Sequence, residues 1–257
     1  ALIWGGVIVG RDRVLRPSPH QTGDLRRVPW DWTDVIIFIP AVYGATNILA
    51  SVVLPIGGAV TPASDPTVSD AVSSFLSQAS FYAAALFNVW LLAGLRRGAN
   101  LFDIGWRRFS WWWAIPAAPV IAYATLVVSG YLEVFSSQLL PNAPNTQCQA
   151  IQHDYSHYIW LAAIVVCVMA PIAEETIFRG FLYGWARRSM PVGVAVVVDG
   201  ALFGLAHQVS LLFIPLFAVG CVLALVYQYS RSVFPGMVVH ALFNIPGLIG
   251  YLSSPTC

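Results

Sequence analysis

Long apolar runs alternate with short polar or proline-bearing breaks along almost the whole chain. Runs near 20 residues recur at about 34–55, 71–95, 111–135, 157–188, 191–209, 211–229 and 233–252. An α-helix rises about 1.5 Å per residue, so ~20 apolar residues cross the roughly 30 Å hydrocarbon core of a bilayer. The segments "GGAVTPASDPTVSD", "RRGANLFDIGWRR" and "PNAPNTQCQAIQHDYSH", and the single Arg231, separate most of these runs. The pattern predicts an all-α polytopic integral membrane protein, with seven full transmembrane helices in one membrane domain over residues 1–257. Within it, 1–33 form an N-terminal segment, 34–156 accessory helices, and 157–252 the helices that carry the chemistry. The opening apolar run, 1–9, spans only about 14 Å as a helix and reads as the stub of a truncated helix or an interfacial segment.

Composition agrees with this reading. The chain is 58% hydrophobic and 10% charged, with mean hydropathy +0.70, where a soluble domain carries about 25% charged residues. Every basic residue is arginine. Arg11, Arg13, Arg16, Arg26 and Arg27 precede the first span, Arg96, Arg97, Arg107 and Arg108 lie in the second connection, Arg187 and Arg188 in the fourth, and Arg231 in the sixth. The intervening connections hold none, so the positive-inside rule puts the arginine-bearing connections in the cytoplasm and the C-terminus outside. "WWW" at 111–113 reads as an interfacial aromatic anchor. A net charge of +1 without a basic run gives no nucleic-acid signal, and no signal-peptide pattern is evident. Cys167 and Cys221 fall inside spans as apolar thiols. Cys148 and Cys257 fall on the outer side, where an oxidising compartment permits a disulfide.

Chemistry concentrates in "VMAPIAEETIFRGFLY", residues 168–183, which holds two of the chain's three glutamates. The ionisable groups inside spans are Glu174, Glu175, Arg179, Asp199, His207 and His240, with Asn244 as an uncharged companion. A charge at the bilayer centre costs at least about 2.5–3.5 kcal/mol on insertion scales, so the default reading is functional. Glu175 and Arg179, Phe203 and His207, and His240 and Asn244 are each i, i+4 and share a helix face. If the fourth helix ended at Arg179, its glutamates would sit ~24 Å from His207. Continued through "GFLYGWARR", it brings Glu174 ~20 Å above Arg187 and level with His207. A long helix and a site within the membrane, opening toward the cytoplasm, are expected. A sheltered carboxylate beside an imidazole can deprotonate a bound water. Donors such as His240 and Asn244 can stabilise the oxyanion formed when that water attacks an amide. The alternative use of Glu174, His207 and His240 is a three-ligand zinc site, although the local two-histidine helix motif of zinc proteases is absent.

"EETIFRG", "FGLAH" and "HALFN" resemble the three signature motifs, EExxxR, FxxxH and HxxxN, of the CPBP (ABI) intramembrane protease family, which includes the CAAX prenyl endopeptidase that converts Ras. The resemblance covers about 174–244. It implies an eight-helix membrane fold, with the stub at 1–9 as the remnant of the eighth helix, and hydrolysis of a peptide bond in a membrane-associated peptide or protein. By the same resemblance Glu174 activates water assisted by His207, His240 and Asn244 form the oxyanion site, and Glu175 and Arg179 support the cavity. The family has been described both as zinc-dependent and as metal-independent; the metal-independent reading is preferred here, with no cofactor. The expected location is the plasma membrane of a bacterium or archaeon, in contact with the lipid bilayer, with a further protein partner left open.

Other readings stay beside this one. A non-proteolytic scaffold or immunity-type protein would retain the fold, and a small transporter would use the polar cavity, although no inverted repeat is seen. Asp199, two turns before His207, is expected to interact with Arg179, to tune His207, or only to face the pocket. "HDYSH" reads as surface histidines rather than a metal pair. Gly200 and Gly204 form a small-xxx-small pair, expected to bring the fifth helix against a neighbour such as the fourth.

Overall fold

In the computed structural model, residues 25, 28–61, 65–254 and 257 are described, and these are helical with no strand among them. Eight helices follow one another: α1 Trp32–Ala59, α2 Thr67–Arg96, α3 Trp113–Leu139, α4 Thr146–Tyr155, α5 Ile159–Ser189, α6 Val192–Ala206, α7 Ser210–Ser230 and α8 Val233–Ser253. Six of them are long and apolar enough to cross a membrane. The exception among the seven expected spans is α6. Its 15 residues extend only about 22 Å, short of the hydrocarbon thickness. It stops because Gln208 turns left-handed, φ 56°, and a short 3₁₀ turn at Ser210–Leu212 then leads into α7. The expected helix at 1–9, with Arg11, Arg13, Arg16, Arg26 and Arg27, lies outside the described residues.

The described arginine-bearing connections gather at one end of the bundle. Arg97 bridges Asp31 and Asp34 at 2.9 and 2.8 Å, tying the end of α2 to the capping box that starts α1. Arg188 donates to the carbonyl of Trp30 at 2.8 Å, and the Trp30 indole donates to the Phe181 carbonyl at 2.9 Å. The start of α8 is docked on the second connection, with Val233 N to Gly105 O at 2.9 Å and Ser232 Oγ to Arg107 O at 2.8 Å. Gly105 is required there: its φ is +87°, and a Cβ would fall 2.6 Å from the Tyr227 ring. Trp111 and Trp112 stack at 4.3 Å and stand exposed beside this end, as an interfacial anchor should.

The opposite end is closed by α4. Cys148 and Cys257 form the disulfide that topology had allowed, and Gln152 donates to the carbonyls of Tyr251 and Ser254 at 2.7 and 2.8 Å. Ile151 and Tyr155 pack with Ala71, Leu161 and Leu248 beneath it. His153 and His157 are exposed, the former against Asp154, whose carboxylate raises the imidazole above the usual histidine range.

The disulfide closes a loop of 109 residues. Reduction, or Cys257→Ser, should lower thermal stability in detergent by up to about 4–5 kcal/mol. Differential scanning fluorimetry with and without reductant checks this, and a membrane-impermeant maleimide should label Cys148 only after reduction.

Candidate active site

Glu174 lies at the midpoint of α5, 15 residues from each end of a 31-residue helix, about 22 Å from either. Four residues from three other helices and α5 itself meet there. The Tyr82 hydroxyl of α2 donates to Glu174 Oε1 at 3.0 Å. His207 Nε2, just past the end of α6, and His240 Nε2 of α8 lie 3.9 and 3.8 Å from Glu174 Oε2. Those two spacings exceed a direct hydrogen bond. Each imidazole has its other nitrogen engaged. His207 Nδ1 meets the Phe203 carbonyl at 2.8 Å, and His240 Nδ1 meets Glu175 Oε1 at 3.3 Å. Both acceptors require the proton on Nδ1, so each neutral ring would turn an Nε2 lone pair toward Glu174.

Beneath this group lies a buried ionic cluster. Arg179 Nη1 donates to Glu175 Oε1 at 3.0 Å, Arg179 Nη2 donates to the Gly220 carbonyl at 2.9 Å, and its guanidinium lies 4.7 Å over the Phe203 ring. Asp199 Oδ2 is 3.4 Å from Arg179 Nε but accepts no aligned hydrogen bond, so that contact is Coulombic rather than directional. Arg179, and not His207, is therefore the partner of Asp199. All three side chains are fully enclosed, where a charge is tolerated only when paired.

Two local features of α5 shape the site. Its turns widen to π-type over Val165–Met169 and Glu175–Tyr183, an irregularity frequent at functional sites. In the first of these, Ala170 N–H bonds back to Val165 O, five residues earlier. The next residue, Pro171, has no N–H, so the Val166 carbonyl loses the donor that would follow in this register. Asn244 of α8 supplies it, Nδ2 to Val166 O at 2.7 Å. Asn244 is thus a strap between α5 and α8, with one amide hydrogen left over.

Gly236 lets the α8 backbone sit against Glu175, since a Cβ there would overlap the carboxylate. Gly200 and Gly204 do not face α5 as expected. They receive α7, where a Cβ on Gly200 would lie 2.9 Å from Phe217 O, and one on Gly204 3.0 Å from Phe213 O. Phe178, Phe181, Leu182 and Tyr183 fill the arginine side of Glu174, whereas Val168 and Ile172 on its other side are 51% and 37% exposed. Tyr82 was missed because a tyrosine in an apolar run reads as packing; its i, i+4 spacing from Gln78 was the available signal.

Among the described residues no group of three His, Cys, Asp or Glu side chains is arranged to hold one metal ion.

Residues 156–246, which contain all three motifs, match the family model described as type II CAAX prenyl endopeptidase Rce1-like. The membrane-embedded CAAX protease MroQ of Staphylococcus aureus (strain USA300) is 26% identical over 140 residues, covering 51% of this chain. The chain spans about half the length of that relative, 54%. No solved structure matches. The resemblance to CPBP proteases is borne out across this segment, in an integral membrane protein.

Asn244→Ala should destabilise the protein by about 1–3 kcal/mol by leaving the Val166 carbonyl unpaired. In a Pro171→Ala background, where residue 171 regains its N–H, that loss should shrink. Thermal unfolding of the four proteins in the cycle measures the coupling; equal losses in both backgrounds would refute the strap.

Proposed function

We propose that the protein is an intramembrane endopeptidase, hydrolysing a peptide bond in a membrane-associated peptide or protein. The supporting observation is the convergence of Glu174 Oε2, His207 Nε2 and His240 Nε2 midway along the bundle. A C-terminal peptide of the CAAX type is the substrate class that the matched family and the named relative suggest.

The chemistry follows from the hydrogen-bond directions. A water between Glu174 Oε2 and His207 Nε2 gives its proton to Glu174 as its oxygen attacks the scissile carbonyl carbon. His207 accepts the second water hydrogen through Nε2, because its Nδ1–H is committed to Phe203. Tyr82 holds the other Glu174 oxygen, so the carboxylate cannot swing away from the water. Attack turns the carbonyl oxygen into an oxyanion. His240 is placed beside it, its ring held in orientation by the Nδ1 contact with Glu175. The remaining Asn244 hydrogen is available to the same oxyanion. Collapse breaks the C–N bond, and the leaving amine takes the proton stored on Glu174, regenerating the carboxylate. Glu175, Arg179 and Asp199 act at one remove by fixing His240 and the helices that carry it. No step needs a metal, and the arginine end faces the cytoplasm in this reading.

Glu174→Ala and His207→Ala should each lower cleavage by about 10²–10⁴-fold, the range of a lost general base. Tyr82→Phe, which only frees the carboxylate, should cost less. Comparing peptide termini of membranes bearing the native protein or Glu174→Ala identifies the substrate as well. Full activity in both the glutamate and histidine variants sinks the proposal. Stoichiometric zinc in the purified protein, with activity lost on its removal, would replace the glutamate mechanism by a metal one.

A further inference from the structure

A polar stripe crosses the half of α2 that lies toward the disulfide end. Asp70, Ser74, Gln78 and Tyr82 stand at successive i, i+4 positions, one above another on the helix surface. Asp70 and Gln78 are exposed, Ser74 is half-buried, and Tyr82 at the deep end is buried. Two of its members bond to other helices. Ser74 Oγ donates to Asp154 Oδ2 of α4 at 2.7 Å, and the Tyr82 hydroxyl donates to Glu174 at 3.0 Å.

The rest of α2 is different. Between Tyr82 and Arg96 its one polar residue, Asn88, bonds back to the Ala84 carbonyl at 2.9 Å and offers nothing outward. α2 has a hydropathy of 1.3, the lowest of the six spans. An exposed amide inside hydrocarbon costs several kcal/mol unless it meets water or a partner. Polar groups on spans accordingly face water-filled clefts. Hydrolysis consumes one water per bond cut, and the arginine side of Glu174 is filled by Phe178, Phe181 and Leu182.

We infer that Asp70, Ser74, Gln78 and Tyr82 line the path by which water reaches Glu174, from the end of the bundle that carries the Cys148–Cys257 disulfide. The inference rests on Glu174 being the water-activating residue, but its test does not require turnover. Ser74→Cys and Gln78→Cys are made in full-length protein whose Cys167 and Cys221 are replaced by alanine. Phe81→Cys, exposed at the same depth on another face, is the lipid-facing control. Asn142→Cys and Arg108→Cys mark the two ends. Each variant is treated, in intact cells and in inverted membrane vesicles, with a charged methanethiosulfonate that reacts only with a hydrated thiolate.

Ser74→Cys and Gln78→Cys should be modified from the same side as Asn142→Cys, at least about tenfold faster than Phe81→Cys. A Gln78→Cys as inert as Phe81→Cys, or one modified only from the Arg108→Cys side, overturns the path. Labelling of a protein that cleaves nothing would leave the path standing and remove the protease reading. Cleavage without labelling would do the reverse.

Discussion

One buried guanidinium organises the interior. Arg179 has no exposed surface, and its charge is met by Glu175 from its own helix, Asp199 from α6, the Gly220 carbonyl of α7 and the face of Phe203. Glu175 in turn holds His240 of α8. Four helices are therefore referred to a single cation. A buried charge is expensive to desolvate, and its partners are worth having only when geometry is close. Without the arginine, Glu175 and Asp199 would be two enclosed carboxylates with nothing between them. Breaking a buried pair in this way costs about 3–5 kcal/mol. The cluster is thus a condition for the helices to assemble in this arrangement and no other.

Close geometry needs missing side chains. Gly236 brings the α8 backbone under Glu175, and Gly200 and Gly220 let α6 and α7 approach until a Cβ on Gly220 would lie 2.8 Å from the Gly200 Cα. That approach puts the Gly220 carbonyl within reach of Arg179. Where lipid is as apolar as the side chains, helix association depends on such packing and on polar contacts rather than on the hydrophobic effect. Glycines and the arginine are two halves of one device.

Much of this was legible in the chain. The apolar runs located a helix at each of the seven expected positions, six of them long and apolar enough to cross a bilayer and the seventh, α6, too short. The need to bring Glu174 level with His207 required α5 to run on to Arg188, and it does so to Ser189. The shared side of Cys148 and Cys257 permitted their disulfide without requiring it. What stayed hidden depends on information that periodicity lacks. The left-handed Gln208 that shortens α6 is a local backbone event with no distinctive residue type. The partner of Gly200 could not be chosen, since a glycine pair says that something comes close but not what. Asn244 looked like a free donor because its acceptor arises from a π-type turn and Pro171 acting together, 78 positions away.

The depth of the site reduces to counting along helices. Glu174 lies 15 residues before the end of α5 at Ser189, and His207 lies 15 residues after Val192 begins α6. The two helices form a hairpin, so residues equally far from its turn are level, about 22 Å in. His240 is only seven residues into α8, about 10 Å, and would fall far short if α8 began at the same surface. It does not begin there. Val233 is bonded to Gly105 O, and neighbouring Ile104 O lies where a Cβ on Gly180 would be 2.5 Å away. The second connection therefore tucks into the bundle to the level of Gly180, six residues or about 9 Å below Glu174. Starting from that raised floor, seven residues of α8 carry His240 to the height of the glutamate. The arginine-bearing loop that looked like a mere connection sets the height of the third member of the site.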